Sequence, residues 1–295
     1  MAVTCGDIIT ETSSQLHGWG GTSDRITPLT ASIGPTDTSF VVDFAFGQAV
    51  GITPGVVEID EEQLYVVSVD PATGTCTLAS GVGRGYGGTT PASHTAGAQV
   101  ISRPRFPRAQ ILRQLNNVLG GIFPDLFQVK TFSAVVSYPS NTYTLPSAVG
   151  PVLVLDAQWQ DPVGNWHKAY SYTIDPFDNT FRLGGGIPVG RPLRVVYGVQ
   201  PGTFTSESDD YATTTGLPTS AVDVLSLGVV ARMVPALDIS RAQLSSVEQS
   251  DRSRVVPPNQ GINASKYLMA EFQQRLANEA QALRMQYRPR LLRTF

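Results

Sequence analysis

Cysteine and histidine are scarce in this chain: two cysteines, Cys5 and Cys76, and three histidines, His17, His94 and His167, among 295 residues. Two cysteines make neither a disulfide framework nor a Cys-based metal site, and histidines this far apart have no metal-ligand spacing. Both cysteines are expected to be buried as small apolar residues. No run reaches the roughly 18 apolar residues of a membrane span, and Met1–Gly20 lacks the charged start and apolar core of a signal peptide. A protein that is in a cytoplasm at least when made, and away from membranes, is expected. Catalytic groupings are also missing. Ser93-His94 lies in a glycine-rich loop without a GxSxG elbow. Asp60-Glu61-Glu62 lacks the alternation and glycine of a calcium loop, so it is expected to be a solvated hairpin tip. The chain is therefore read as a non-enzyme that needs no cofactor and no metal.

Glycine (28) and proline (21) are plentiful, which favours many short strands joined by tight turns. Charge is unevenly spread. Residues 1–100 hold ten carboxylates against Arg25 and Arg84, a balance of −8, whereas residues 252–295 hold eight bases against Glu271 and Glu279, a balance of +6. The two ends are expected to face different surroundings.

The clearest periodicity is at the end. Leu268, Phe272, Leu276, Ala280, Leu283 and Tyr287 recur every three or four residues and predict an amphipathic helix of about six turns from Asn263. Pro289 should stop it. Beyond it, arginines mix with Leu291, Leu292 and Phe295, a combination that belongs against another molecule rather than in water.

Earlier in the chain, Met1–Gly21 predicts a short helix with Thr4 as N-cap. Ser39–Phe46, Gly55–Ile59, Gln63–Val69, Thr75–Ala79 and Ala98–Ser102 alternate as strands of a small barrel or sandwich. Gly83, Gly85 and Gly88 spell GxGxxG, but a strand rather than a helix should follow, so a dinucleotide site is rejected. Arg103, Arg105, Arg108 and Arg113 cluster around the start of a helix with Pro107 as its first residue. They lack interleaved aromatics, and contacts to acidic neighbouring subunits are their expected use. A second strand region comes next: Thr131–Tyr138, Thr142–Leu145, Val152–Gln160, His167–Ile174, Thr180–Leu183 and Leu193–Tyr197. Gly202–Thr215 is read as a linker. Ser220 and Asp223 then open an apolar helix suited to the centre of a bundle.

These elements predict an α+β fold in which sequence-separated helices form a small bundle carrying two inserted antiparallel β modules, barrel- or sandwich-like. The expected divisions are 1–25 (N-terminal helix and arm), 26–104 (first β module), 105–130 (bundle helix), 131–204 (second β module), 205–262 (linker, central helix and loop) and 263–295 (long helix and basic tail).

The run Arg84-Gly85-Tyr-Gly-Gly88-Thr89-Thr-Pro-Ala-Ser-His94-Thr-Ala-Gly97, followed by Arg103-Pro-Arg-Phe-Pro107-Arg108 and a helix, resembles virion proteins of tailed bacteriophages, chiefly those of actinobacterial hosts. With the order of helices and β regions, it looks like a head-to-tail adaptor, the connector ring between portal and tail. That resemblance implies a structural virion protein of the neck, assembled in the host cytoplasm as a homo-oligomeric, twelve-fold ring. Its implied partners are the portal protein and a downstream neck or tail protein. DNA would pass through the channel without sequence-specific binding, and the acidic N-terminal half would face outward or line that channel. The portal-docking residues it implies are Arg284, Arg288, Arg290, Leu291, Leu292, Arg293 and Phe295. The alternative is a tail or baseplate protein whose β modules bind host glycans through Trp159 or Trp166.

Overall fold

Alternating apolar residues build most of this chain. The computed structural model describes residues 2–20, 24–43, 52–137, 141–146, 152–175, 178–235 and 260–287. Among them are five α-helices and thirteen strands, and the strands form three antiparallel sheets. The chain divides into two units, each assembled from segments distant in sequence.

One unit comprises residues 6–114 and 232–265. Its six-stranded sheet contains β1 (Arg25–Pro28), β2 (Ser39–Val41), β3 (Gly55–Ile59), β4 (Glu62–Val69), β5 (Thr75–Leu78) and β6 (Gln99–Ser102), in the order β1-β6-β3-β4-β5-β2. Period-two alternation puts Phe40, Val57, Ile59, Leu64, Val66, Cys76 and Val100 in one buried cluster. An isolated bridge, Leu29 to Val42, joins the ends of the edge strands, but among the described residues no ladder closes the sheet into a barrel. Most of helix α1 (Cys5–Gly20) belongs to this unit, with Ile8, Ile9 and Leu16 buried. Helix α2 (Arg108–Gly121) begins here too: Pro107 accepts from the N–H groups of Gln110 and Ile111, and Arg108 N–H donates to the buried Glu58 carboxylate at 2.8 Å. A carboxylate on the first free amide of a helix satisfies that donor and complements the helix dipole.

The other unit comprises residues 1–5, 115–231 and 266–295. It contains a four-stranded sheet of β7 (Gln128–Val135), β9 (Leu153–Gln160), β10 (Trp166–Lys168) and β13 (Pro192–Val199), in the order β10-β9-β13-β7. A three-stranded sheet runs β11-β12-β8, with β8 at Thr142–Thr144, β11 at Tyr172–Asp175 and β12 at Thr180–Leu183. Val154, Ala157, Leu193, Val195 and Tyr197 from the first sheet share a core with Tyr172, Phe181 and Leu183 from the second. The unit also holds helices α3 (Tyr211–Thr215), α4 (Val222–Met233) and α5 (Gln260–Gln286, within this unit from Lys266). The second half of α2 meets α4 and α5 at Gly228, where a Cβ would lie 2.9 Å from Phe272 Cε2 and 3.0 Å from Val118 Cγ1.

The expected helical bundle with inserted β modules is overturned. Strands dominate, and each strand region has its own buried core, so it is the body of its unit rather than an appendage on helices. The helical stripes are real, and α2, α4 and α5 do meet, but packed helices do not make the strand regions appendages when each of those regions buries a core of its own. Two smaller expectations also change. The single strand expected over His167–Ile174 is two strands in different sheets, β10 and β11, separated at the buried Ala169. The expected linker Gly202–Thr215 contains α3, capped by Asp210 accepting from Thr213 N–H, with Phe204, Tyr211 and Thr215 buried. The expected Ser220–Asp223 cap is likewise absent: Pro218 precedes a short 3-10 turn, and Ser220 Oγ donates to Glu279 on α5. The second half of the expected strand Ser39–Phe46 lies outside the described residues.

Gly228→Val tests the helix packing. The added methyls meet Phe272 and Val118, an overpacking cost of about 1–3 kcal/mol, and the melting temperature should fall by roughly 2–12 °C. An unchanged melting temperature would show that α2, α4 and α5 do not pack this closely.

Candidate functional site: the carboxylate that holds the glycine-rich loop

The densest polar grouping in the six-stranded sheet forms where the β3–β4 hairpin meets the glycine-rich loop. Asp60 and Glu61 turn the hairpin, with Asp60 in the left-handed region at φ 52°. Glu62 opens β4 with the same parity as Leu64 and Val66, so it starts on the buried face, and its side chain is fully buried.

The loop 79–98 is bent around this carboxylate. Arg84 donates through Nε to Glu62 Oε1 at 2.8 Å and through Nη2 to Oε2 at 2.7 Å, the paired geometry a guanidinium and a carboxylate share. Gly85 N–H donates to Oε1 at 2.9 Å and Ala92 N–H to Oε2 at 3.0 Å. His94 adds a contact from Nε2 to Oε2 at 2.9 Å, and its Nδ1 lies 2.7 Å from Asp60 Oδ2. Arg84 also donates to the carbonyls of Gly34 and Ala92. The His94 backbone exchanges two hydrogen bonds with Ile33. Five donors thus converge on one buried acid and tie residues 34, 85, 92 and 94 together.

Gly85 makes the close approach possible: its φ is +61°, and a Cβ there would lie 2.7 Å from the Thr89 carbonyl oxygen. The glycines of the GxGxxG string therefore serve a tight fold of the loop, which runs on into β6.

Burial alone would raise the Glu62 pKa. The bonds from Arg84, the Ala92 amide, His94 and the Gly85 amide outweigh it and bring the value down from 4.5 to about 2. Chemically, the cluster is occupied. Both imidazole nitrogens face carboxylate oxygens, and His94 is buried. The ring of His94 contacts Asp60 and Glu62 through its two nitrogens and ties the loop to the hairpin. Among the described residues, no group of three or more His, Cys, Asp or Glu is placed to hold a metal ion.

The expected solvated tip at residues 60–62 is corrected for Glu62, which is buried. The arginine and histidine that pair with it lie 22 and 32 positions away, and no short-range pattern connects them. Its parity with Leu64 and Val66 was the available signal.

The predicted contact arginines go to different places. Arg103, at φ 50°, donates to the Pro54 carbonyl, and the Arg105 amide meets Asp24 at 3.4 Å. Arg108 reaches Gly6 O and Thr10 Oγ1 on α1, whereas Arg113 is exposed on α2. Of the portal-directed residues, Arg284 is described. It pairs with Asp125 at 2.8 Å, both half exposed, beside an open groove of about 610 Å³ lined by Leu276, Ala277, Ala280 and Met285. Arg288, Arg290, Leu291, Leu292, Arg293 and Phe295 lie outside the described residues. Trp159 packs on the sheet core and against His167, whereas Trp166 is 40% exposed with the Arg194 guanidinium 4.5 Å from its ring centre. Among the described residues, no helix is long and apolar enough to cross a membrane.

The ionised Glu62 stabilises the fold where the unfolded carboxyl is also ionised, above pH 4.5, and that contribution is lost as pH falls from 4.5 toward 2. The difference corresponds to about 3 kcal/mol. Glu62→Gln should lower stability at pH 7 by about 3–5 kcal/mol, since Arg84 loses its counter-charge, and should flatten the acid limb of the stability profile. Denaturant titrations of both proteins from pH 2 to 7 check this, and superimposable profiles would contradict it.

No protein-family model matches the chain, and no curated protein matches it.

Proposed function

We propose that the chain is a structural connector, a virion protein of the head-to-tail adaptor kind that joins portal to tail as a ring of identical copies. The observation that carries this reading is α5 together with the basic segment beyond it. Leu268, Phe272, Ala280 and Leu283 bury one side of the helix, the helix ends at Gln286, and the sequence beyond holds three arginines with Leu291, Leu292 and Phe295. An anchored helix continued by a basic, apolar segment without carboxylate side chains suits docking on an acidic or apolar partner surface. The charge asymmetry of the chain and the resemblance of its glycine-rich run to phage virion proteins support the same reading. The fully buried acid Glu62, with its pKa lowered, is consumed in holding a loop, which suits a structural role.

The second reading, a tail protein that binds host glycans, draws on Trp166 and on Tyr170, which is 73% exposed. Aromatic faces of this kind stack on sugars.

Removing residues 288–295 tests the first reading. The shortened chain should keep its melting temperature and lose binding to the portal protein, measured by co-sedimentation. Undiminished binding would contradict the docking role, and sugar binding on a glycan array that Trp166→Ala abolishes would favour the second reading.

A further inference from the structure

Among the described residues, the sheets end in short strands, with one exception. In the six-stranded sheet the edges β1 and β2 are four and three residues long, β1 ends at Pro28, and a bridge joins them. In the three-stranded sheet the edges are β11 and β8, of four and three residues. In the four-stranded sheet β10 has three residues, whereas the opposite edge, β7, has eight, with no proline, no bulge against β13 and one charge, Lys130. A long, regular edge without these protections is a template for another strand.

The register shows which groups are free. Val136 N–H donates to Arg191 O, so the even residues of β7 bond β13, and the odd residues point their N–H and C=O groups away from it. Tyr143 Oη meets Val135 O and closes one end, leaving Val129 to Ser133 open. On β10, Asp161 N–H bonds Asn165 O and Ala169 N–H bonds Ala157 O, so the odd residues face β9 while Trp166 and Lys168 present their backbone groups outward.

We propose that β7 of one copy pairs with β10 of the next copy, extending the four-stranded sheet from subunit to subunit. This rests on the ring reading proposed above and names its interface. The strand count favours it: four alternating strands leave β7 and β10 pointing in opposite directions, so copies related by rotation alone meet with antiparallel edges. The pleat also matches. Odd residues of β7 and even residues of β10 lie on the face of the sheet away from the core, so Thr131 opposite Lys168, and Ser133 opposite Trp166, keep outward side chains outward. In this register about four backbone hydrogen bonds form per junction. Phe132 lies across from His167 and Lys130 from Ala169, and no like charges oppose one another. The contact is head to tail, uses both edges of the sheet once, and repeats around a ring.

The test is a Thr131→Cys/Lys168→Cys double variant, treated with a short thiol-to-thiol cross-linker, alone and with the portal protein. Cys5 and Cys76 are fully buried and leave the background silent. The double variant should give a ladder beyond the dimer on denaturing gels, and neither single variant should. Thr131→Pro, which removes an N–H that faces away from β13, should keep the melting temperature and lose assembly. Dimers from Thr131→Cys alone would mean two-fold β7 pairing and overturn the proposal. Rings seen by light scattering without cross-links would overturn the interface and leave the ring reading standing. A chain that stays monomeric, alone and with the portal protein, would overturn both.

Discussion

The fold of the six-stranded unit depends on one buried negative charge. Glu62 cannot be taken from water without compensation, and the structure provides it with a paired guanidinium, two backbone amides and an imidazole. Each donor belongs to the loop that comes after β5, so the cost of burying the acid is met only when that loop is folded in one way. Glycine at position 85 supplies the backbone angle that lets the loop close on the acid. The result is a corner in which the hairpin and the loop are tied together by hydrogen bonds to one acid.

The other unit solves a different problem. Its two sheets bury a shared apolar core, and the helices α2, α4 and α5 approach closely enough that only glycine fits at position 228. The four-stranded sheet is satisfied on its interior strands and left open at β7. An eight-residue edge strand open from Val129 to Ser133 is a hazard in a lone monomer and an asset in a protein built to meet its own copies, which connects the fold to the proposed connector role.

Much of the local structure was legible in the sequence. Strand β12 at Thr180–Leu183 and the first hairpin strand at Gly55–Ile59 fall where alternation and turn residues place them, and α5 follows its apolar stripe. What alternation does not contain is the partner of each face. The helical stripes suggest a bundle, and α2, α4 and α5 do meet, but periodicity does not say that each strand region buries a core of its own. Segment 202–215 looked like a linker because its polar residues are many; they cap and turn the chain locally, as Asp210 and Asp209 do, while Phe204 and Tyr211 anchor it. The Glu62 network was hidden for a different reason, since its members come from three places along the chain and meet only after folding.

The central claim is that this chain is a joint between larger assemblies, repeated as identical copies. Electron cryo-microscopy of intact particles carrying a density-labelled version of the chain tests it most directly. The account predicts label in a ring at the neck, between portal and tail; label at the tail tip, or none in the particle, would contradict it.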